Sequence, residues 1–502
     1  MGSSKSVEKR TLESTIAGFI LFVLTFAQSI ILVPVFLKFW GTEKYGVWIT
    51  LYAFVSLMRT LDLGHQNYVG NEFNKLFHTD KAAAKKVIGS GIRIAYMLGF
   101  LELLTYLVIL LFGIHRQVTG IDLKAFPVAP GLLAMLILWL LVGSVGGILV
   151  RMIMAMGKYS RSIYLNMISK VFEIMAMLAC AYYNTSINIL CYSLAVVYFL
   201  YTLYVFYDIR KLMPEFYPWL QSGSWRQGFA ALSKSMVLTI NNFIEQFNNM
   251  GLILLISKML GPLLVPVFTT IRTISNTVVQ ATSLVLTPLS PEITRYYATN
   301  DHHKINKVVE TNWFVSGLLV NLPFIILTPF VGYLYAIWTK SKLPFDPLLF
   351  FSLTLSVSVI NFGRSYLTLL TGINALKSLL LVTACRFVLF FGIGYVCIQW
   401  LGLPGIGLAI LFAEIISSVI LPYLLYHKKI DTGSTFGTVQ IMALSQTGLL
   451  ALYFLLYRQT TINPILLLFI FTAAILAIGT GQWIMLDAEV KERLLKLIKI
   501  RK

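Results

Sequence analysis

Apolar runs of about 20 residues recur along this chain from end to end, separated by short polar connections. That pattern leaves few folds open, because a bilayer's hydrocarbon core is about 30 Å thick and a helix needs roughly 20 residues to cross it. With 57% hydrophobic and 12% charged residues, the 502-residue chain has too little polar surface to cover a soluble globule. The expected class is an all-α integral membrane protein. The first apolar run, about 12–36, is succeeded by many others and by no cleavage site, so it reads as a span rather than a signal peptide.

Counting windows between turn signals gives about fourteen transmembrane helices, near 14–38, 45–69, 89–113, 130–152, 163–183, 187–207, 231–257, 263–288, 311–337, 347–371, 378–400, 404–427, 438–457 and 463–485. Alternate connections, with both termini, hold about 28 Lys and Arg against about eight in the others, which places both termini in the cytoplasm. The net charge of +19 is thus the positive-inside bias, and no nucleic-acid partner is expected. The connections on the opposite side are short, the longest about 114–130, which leaves no room for a large outer domain. The tail EVKERLLKLIKIRK mixes basic and apolar residues, as a positive-inside anchor or a surface-lying helix would.

Sliding the chain by about 220 residues lays KFWGTEKYGVWIT over KMLGPLLVPVFTT, matching Lys38 with Lys258, Gly41 with Gly261, Val47 with Val267 and Thr50 with Thr270. This weak repeat predicts an N-lobe of helices 1–6 over residues 1–230 and a C-lobe of helices 7–12 over 231–437. The two would stand in a pseudo-twofold arrangement around a central cavity, with helices 13–14 and a basic tail over 438–502.

Polar residues inside these spans are the candidate functional groups. In Val267–Ser283, Thr269, Arg272, Thr273, Asn276, Gln280 and Ser283 share the spacing of one helix face. An arginine at mid-bilayer costs about 2.5–3.5 kcal/mol even on lenient scales, so Arg272 faces a bundle interior or a watery cavity. It is either a solute ligand or a structural arginine. Arg59 and Asp62 have the i, i+3 spacing of a pair on one face. His65 lacks companions at metal-ligand spacing. The seventh helix is the most polar, with Asn241, Asn242, Glu245 and Asn249 on adjoining strips, and Arg364 and Arg386 add cations further along. Glu245 is placed either to bind a coupling ion or to balance the charge of Arg272. No catalytic set, phosphate loop, metal cluster or cofactor motif is visible, so no enzyme activity, metal or cofactor is expected. Arginine forks with Asn and Gln suit an anionic, hydroxyl-rich solute moved by alternating access.

The segment LKFWGTEKYGVWITLYAFVSLMRTLDLG resembles the first outer turn and second helix of the polysaccharide flippases, which read like LGxxxYGxW before a helix closing in DLG. Gly41, Tyr45, Gly46, Trp48, Asp62, Leu63 and Gly64 match. TPLSPEITRYYATND is similar to that family's Pro-containing turn before a basic loop. The resemblance implies the O-antigen or capsule branch of the multidrug, oligosaccharidyl-lipid and polysaccharide exporter superfamily. It further implies a polyprenyl-diphosphate oligosaccharide crossing a bacterial cytoplasmic (inner) membrane for lipopolysaccharide or capsule synthesis, beside other assembly proteins. Arg59 and Arg272 are the best matches to that family's lumen arginines. A fourteen-helix count also fits the lipid II flippases. A multidrug exporter of the same fold and a membrane glycosyltransferase or polymerase are the alternatives.

Overall fold

The computed structural model describes residues 2–60, 62–122, 127–286, 296–297, 299, 301–372, 375–429, 438–459, 463–486, 488 and 491. Every regular element among them is helical. In order they are α1 (Gly2–Phe39), α2 (Gly41–Met58), α3 (Leu63–Leu76), α4 (Lys81–Leu111), the short α5 (Ile114–Thr119), α6 (Ala129–Ala155), α7 (Tyr159–Tyr182) and α8 (Ile187–Leu212). Next come α9 (225–260), α10 (Val265–Leu286), α11 (His302–Thr339), α12 (Pro347–Gly372), α13 (Leu376–Leu401), α14 (403–429), α15 (Thr438–Arg458) and α16 (Pro464–Met485). Starts are marked by caps: Asp80, Ser186, Ser224 and Asn463 each accept a hydrogen bond from a first-turn backbone N–H of α4, α8, α9 and α16.

Among the described residues, eleven helices are long and apolar enough to cross a membrane, or twelve if the bent pair α2 and α3 is one span. The expected count was about fourteen. The difference lies in α9 and α10, which are long enough to cross but carry the chain's densest rows of amides, hydroxyls and charge. The second expected span, 45–69, is also not one straight helix: α2 and α3 meet at 48°.

The chain divides into two compact units. Unit 1 is Met1–Pro266 with Trp338–Lys342, and unit 2 is Val267–Ile337 with Leu343–Lys502. Unit 1 extends past the lobe boundary expected at 230/231 because the first part of α9 packs on α3 and α4, while its last part packs on α2 and α5. Gly41 and Gly261, superposed by the sequence repeat, both take positive φ (74° and 87°) where one helix turns into the next. The core of unit 1 gathers Val69, Phe73, Ile88, Ile148, Met152 and Ile209 from α3, α4, α6 and α8. In unit 2 the central element is α12, with 72% of its apolar window buried against 22% for its neighbour α13. Trp313 of α11 stacks on Phe362 of α12 at 4.6 Å and donates its indole N–H to the Phe362 carbonyl at 2.8 Å. The Pro-containing turn from Thr287 and the basic tail from Glu489 lie largely outside the described residues, as does the side chain of Ser283.

Candidate solute site

Among the described residues, three helices are interrupted by a π turn: Trp139–Gly143 in α6, Phe247–Gly251 in α9 and Ile415–Ile420 in α14. A π turn inserts a residue into the helix and rotates the turns after it, which re-aims side chains at a chosen place. In α6 the re-aimed group is Trp139. Gly143 leaves room for its ring, since a Cβ there would lie 2.4 Å from it.

Unit 1 holds a cavity of about 500 Å³, lined by Arg59, Gln66, Asn67, Trp139, Arg151, Lys170, Glu173 and Tyr198 among apolar groups of α6 and α8. That volume falls within the range of sites for small organic molecules. The Arg59 guanidinium lies over the Trp139 ring at 4.1 Å and the Tyr198 ring at 4.9 Å. Cation–π contacts of this kind contribute about 0.5–2 kcal/mol and leave the guanidinium charge uncompensated. The expected pair of Arg59 with Asp62 does not form. The two residues sit in the break between α2 and α3, so the regular i, i+3 geometry is lost, and Asp62 instead accepts from the Gln66 amide at 2.7 Å.

Gln66 continues the connection. Its Oε1 accepts from Arg151 Nη1 at 2.9 Å, and Arg151 also donates to Asn67 Oδ1 at 2.8 Å and to the Gly147 carbonyl at 2.7 Å. Gly147 is required here, because a Cβ would fall 2.1 Å from Gln66 Oε1. Across the cavity, Lys170 pairs with Glu173 at 3.2 Å. Three cations therefore face one carboxylate. Asp62 and His65 are fully buried; Asp62 faces the Ser144 hydroxyl as well as Gln66, and His65 Nδ1 meets no hydrogen-bonding protein atom. A buried polar atom without a partner costs about 1–3 kcal/mol.

The other expected site residues lie elsewhere. Asn241 and Asn242 are half-buried on α9, and Glu245 and Asn249 are exposed, with Asn249 donating to the Glu245 carbonyl at 3.1 Å. Arg272, Arg364 and Arg386 all belong to unit 2. The carboxylate whose charge acts on Arg272 is Glu414, where sequence reasoning offered Glu245. Asn276 is half-buried and Gln280 exposed on the same helix. Arg364 donates to the Val279 carbonyl at 3.4 Å and to Thr282 at 3.5 Å. Arg386 is held by Glu414 at 3.2 Å, Ser417 at 3.3 Å and Ser418 at 2.7 Å, and Ser418 donates in turn to Glu414. Of the four arginines proposed from sequence, only Arg59 lines the unit 1 cavity. Its neighbours Arg151, Gln66, Trp139 and Tyr198 were missed. Arg151 sits at the end of an apolar run, where a cation reads as positive-inside charge, and a π turn has no sequence signature that would have singled out Trp139.

No protein-family model matches the chain, and no curated protein does. Solved structures match in fold. An inward-facing multidrug resistance MATE family transporter of the MOP superfamily superposes with a TM-score of 0.64 at 15% identity, covering 83% of this chain and 98% of that one. A mutant of the Vibrio cholerae MATE transporter VcmN gives 0.58 at 15% identity, covering 88% and 100%. An outward-facing multidrug resistance MATE family transporter of the MOP superfamily gives 0.56 at 16% identity, covering 86% and 96%. The fold is that of the MATE-type transporters of the MOP superfamily. These neighbours overturn the narrower terms drawn from the flippase resemblance, namely O-antigen, lipopolysaccharide, polysaccharide and lipid-linked oligosaccharide flipping. The short motifs around Tyr45–Trp48 and Asp62–Gly64 build a helix break and a close helix contact, and such features go with the fold rather than the cargo. A Cβ on Gly46 would lie 1.9 Å from the Pro262 carbonyl oxygen, and one on Gly64 would lie 2.3 Å from Thr239 Cα.

Proposed function

We propose that this chain is a secondary transporter of the multidrug-exporter type, working by alternating access, with the unit 1 cavity as its site for a small organic anion. The observation that carries the reading is the cavity's charge: Arg59, Arg151 and Lys170 line it with Glu173 as the one carboxylate among the lining residues, and Arg59 is held by aromatic faces. An aromatic or aliphatic anion would place its charge on Arg59 or Arg151 and its apolar body along α6, where Trp139 and Tyr198 supply flat surfaces. Both termini would lie in the cytoplasm, from the charge bias of the connections. Alternating access would expose the solute to either side of the membrane in turn, and the further polar groups assigned to transport are Asn241, Asn242 and Asn249 in unit 1 and, separately, Arg272, Asn276 and Gln280 in unit 2. An inside-negative potential drives an anion outward with about 2.3 kcal/mol per charge per 100 mV.

The test is flux in proteoliposomes of the purified chain, comparing a naphthalene sulfonate with a quaternary-ammonium dye. Protein-dependent movement of the sulfonate, lost in Arg59→Gln, is the expected result. Movement of the ammonium dye alone, or wild-type sulfonate flux in the variant, would overturn the anion reading.

A further inference from the structure

We infer that the unit 1 cavity selects an elongated organic acid with a neutral acceptor at its far end, the acid docking on Arg59 and a carbonyl-type oxygen on Arg151. The inference deepens the anion reading of that cavity and rests on it.

The two arginines offer different edges to a ligand. Arg151 donates its Nε hydrogen to Asn67 Oδ1 at 2.8 Å and its Nη1 hydrogens to Gln66 Oε1 at 2.9 Å and the Gly147 carbonyl at 2.7 Å. A guanidinium grips a carboxylate with two parallel N–H groups from neighbouring nitrogens, and each such edge of Arg151 has lost a member. What remains is Nη2, which suits a single oxygen. Arg59 is held instead by the faces of Trp139 and Tyr198, with a hydrogen bond to the Tyr198 side chain. Stacking on the plane of a guanidinium leaves its edges accessible, so Arg59 is the residue that keeps a fork for an acid.

The spacing of the two positions follows from α6. Arg59 lies on Trp139, and Arg151 folds back onto the Gly147 carbonyl eight residues further along, which is about 12 Å of helix. Between them Val142, Gly143 and Gly146 line the cavity. Opposite, Thr202 of α8 turns its hydroxyl to the Tyr198 carbonyl at 2.8 Å and its methyl to Gly146, where a Cβ would lie 2.7 Å from that methyl. These groups present apolar surface to the middle of a solute, which is therefore a hydrocarbon chain or a flat ring. Lys170 does not compete for the acid, since Glu173 holds it at 3.2 Å. Asp62 acts on both arginines without lining the cavity. With that carboxylate ionised, the two arginines retain one positive charge, which a monoanion balances and a diacid exceeds.

The experiment is calorimetric titration of the full chain in nanodiscs with decanoate, sebacate monoamide and sebacate, against empty nanodiscs as blank. The monoamide should bind about tenfold tighter than decanoate, the worth of one charge-assisted hydrogen bond, and tighter than sebacate. Arg151→Gln should erase that advantage, and Arg59→Gln should weaken decanoate and the monoamide by the same factor. Should Arg151→Gln fail to fold, the unmodified chain is titrated with the monoamides of adipate and tetradecanedioate, whose far ends stop short of Arg151 or overshoot it and should lose the advantage. Equal binding of decanoate and the monoamide, an advantage indifferent to Arg151→Gln or to length, or tighter binding of sebacate overturns the inference, and Arg59-dependent binding then leaves the anion reading standing. Absence of Arg59-dependent binding by all three acids, together with absence of sulfonate flux, overturns the anion reading and this inference with it.

Discussion

Arg386 of unit 2 and Arg59 of unit 1 are both half-buried, but they are held in opposite ways. In unit 2, Arg386 is closed off by a carboxylate and two serines, with the side chains of Arg386 and Glu414 only 16% and 5% exposed. In unit 1, Arg59 is held by two aromatic rings, and among the described residues no carboxylate lies within ion-pair distance of it. The contrast separates a cation that braces helices from one that can receive a ligand, because an ion pair neutralises the charge and an aromatic face does not.

The largest effect is expected where the cation is closed off. Glu414→Ala strands Arg386 in a buried setting, and breaking such a pair should cost unit 2 about 3–5 kcal/mol. The drop would appear as earlier thermal unfolding in detergent, with Arg386→Met in the same chain recovering most of it. If Glu414→Ala unfolds like wild type, the bracing role fails and the contrast with it. Next comes Gly363→Ala, whose new methyl would lie 1.4 Å from the Ser418 carbonyl oxygen. Since backbone must move to admit it, α12 should separate from the π turn of α14, costing about 1–3 kcal/mol in the same assay.

Arg59→Gln belongs to the other kind. Stability should hold within about 1 kcal/mol, whereas sulfonate flux should fall about tenfold or more, the worth of one charge-assisted hydrogen bond. A variant that unfolds early and keeps residual flux in proportion to folded protein would move Arg59 into the bracing class.

These differences mark how far the sequence could be read. The all-helical class, the membrane setting and the positions of the spans come from apolar runs, since that signal is local and repeated. The polar character of α9 and α10 was equally plain, and it sets them apart from the apolar spans around them. What stayed hidden was which arginine meets which partner. Arg386 and Glu414 are 28 residues apart on different helices, and Arg59 meets Trp139 only because α6 contains a π turn. Such contacts are set by helix rotation and packing, and neither leaves a trace in spacing. The flippase motifs, read as pointers to a cargo, turned out to describe helix breaks and close contacts.

The smallest effect should come from the rings themselves. Trp139→Leu removes the face that positions Arg59 at 4.1 Å, a contact worth about 0.5–2 kcal/mol, so sulfonate flux should drop roughly three- to tenfold with little loss of stability. In unit 2, Arg272 stands 5.7 Å from the ring of Phe268, a fully buried residue. Phe268→Leu should do the reverse, lowering thermal stability by about 1 kcal/mol through lost packing while flux per folded protein is unchanged. The two trims are chemically alike, so their opposite readouts isolate what the ring does for the cation. Equal losses of flux would mean that Arg272 serves transport as directly as Arg59 does, and the division between bracing and receiving arginines would have to be redrawn around it.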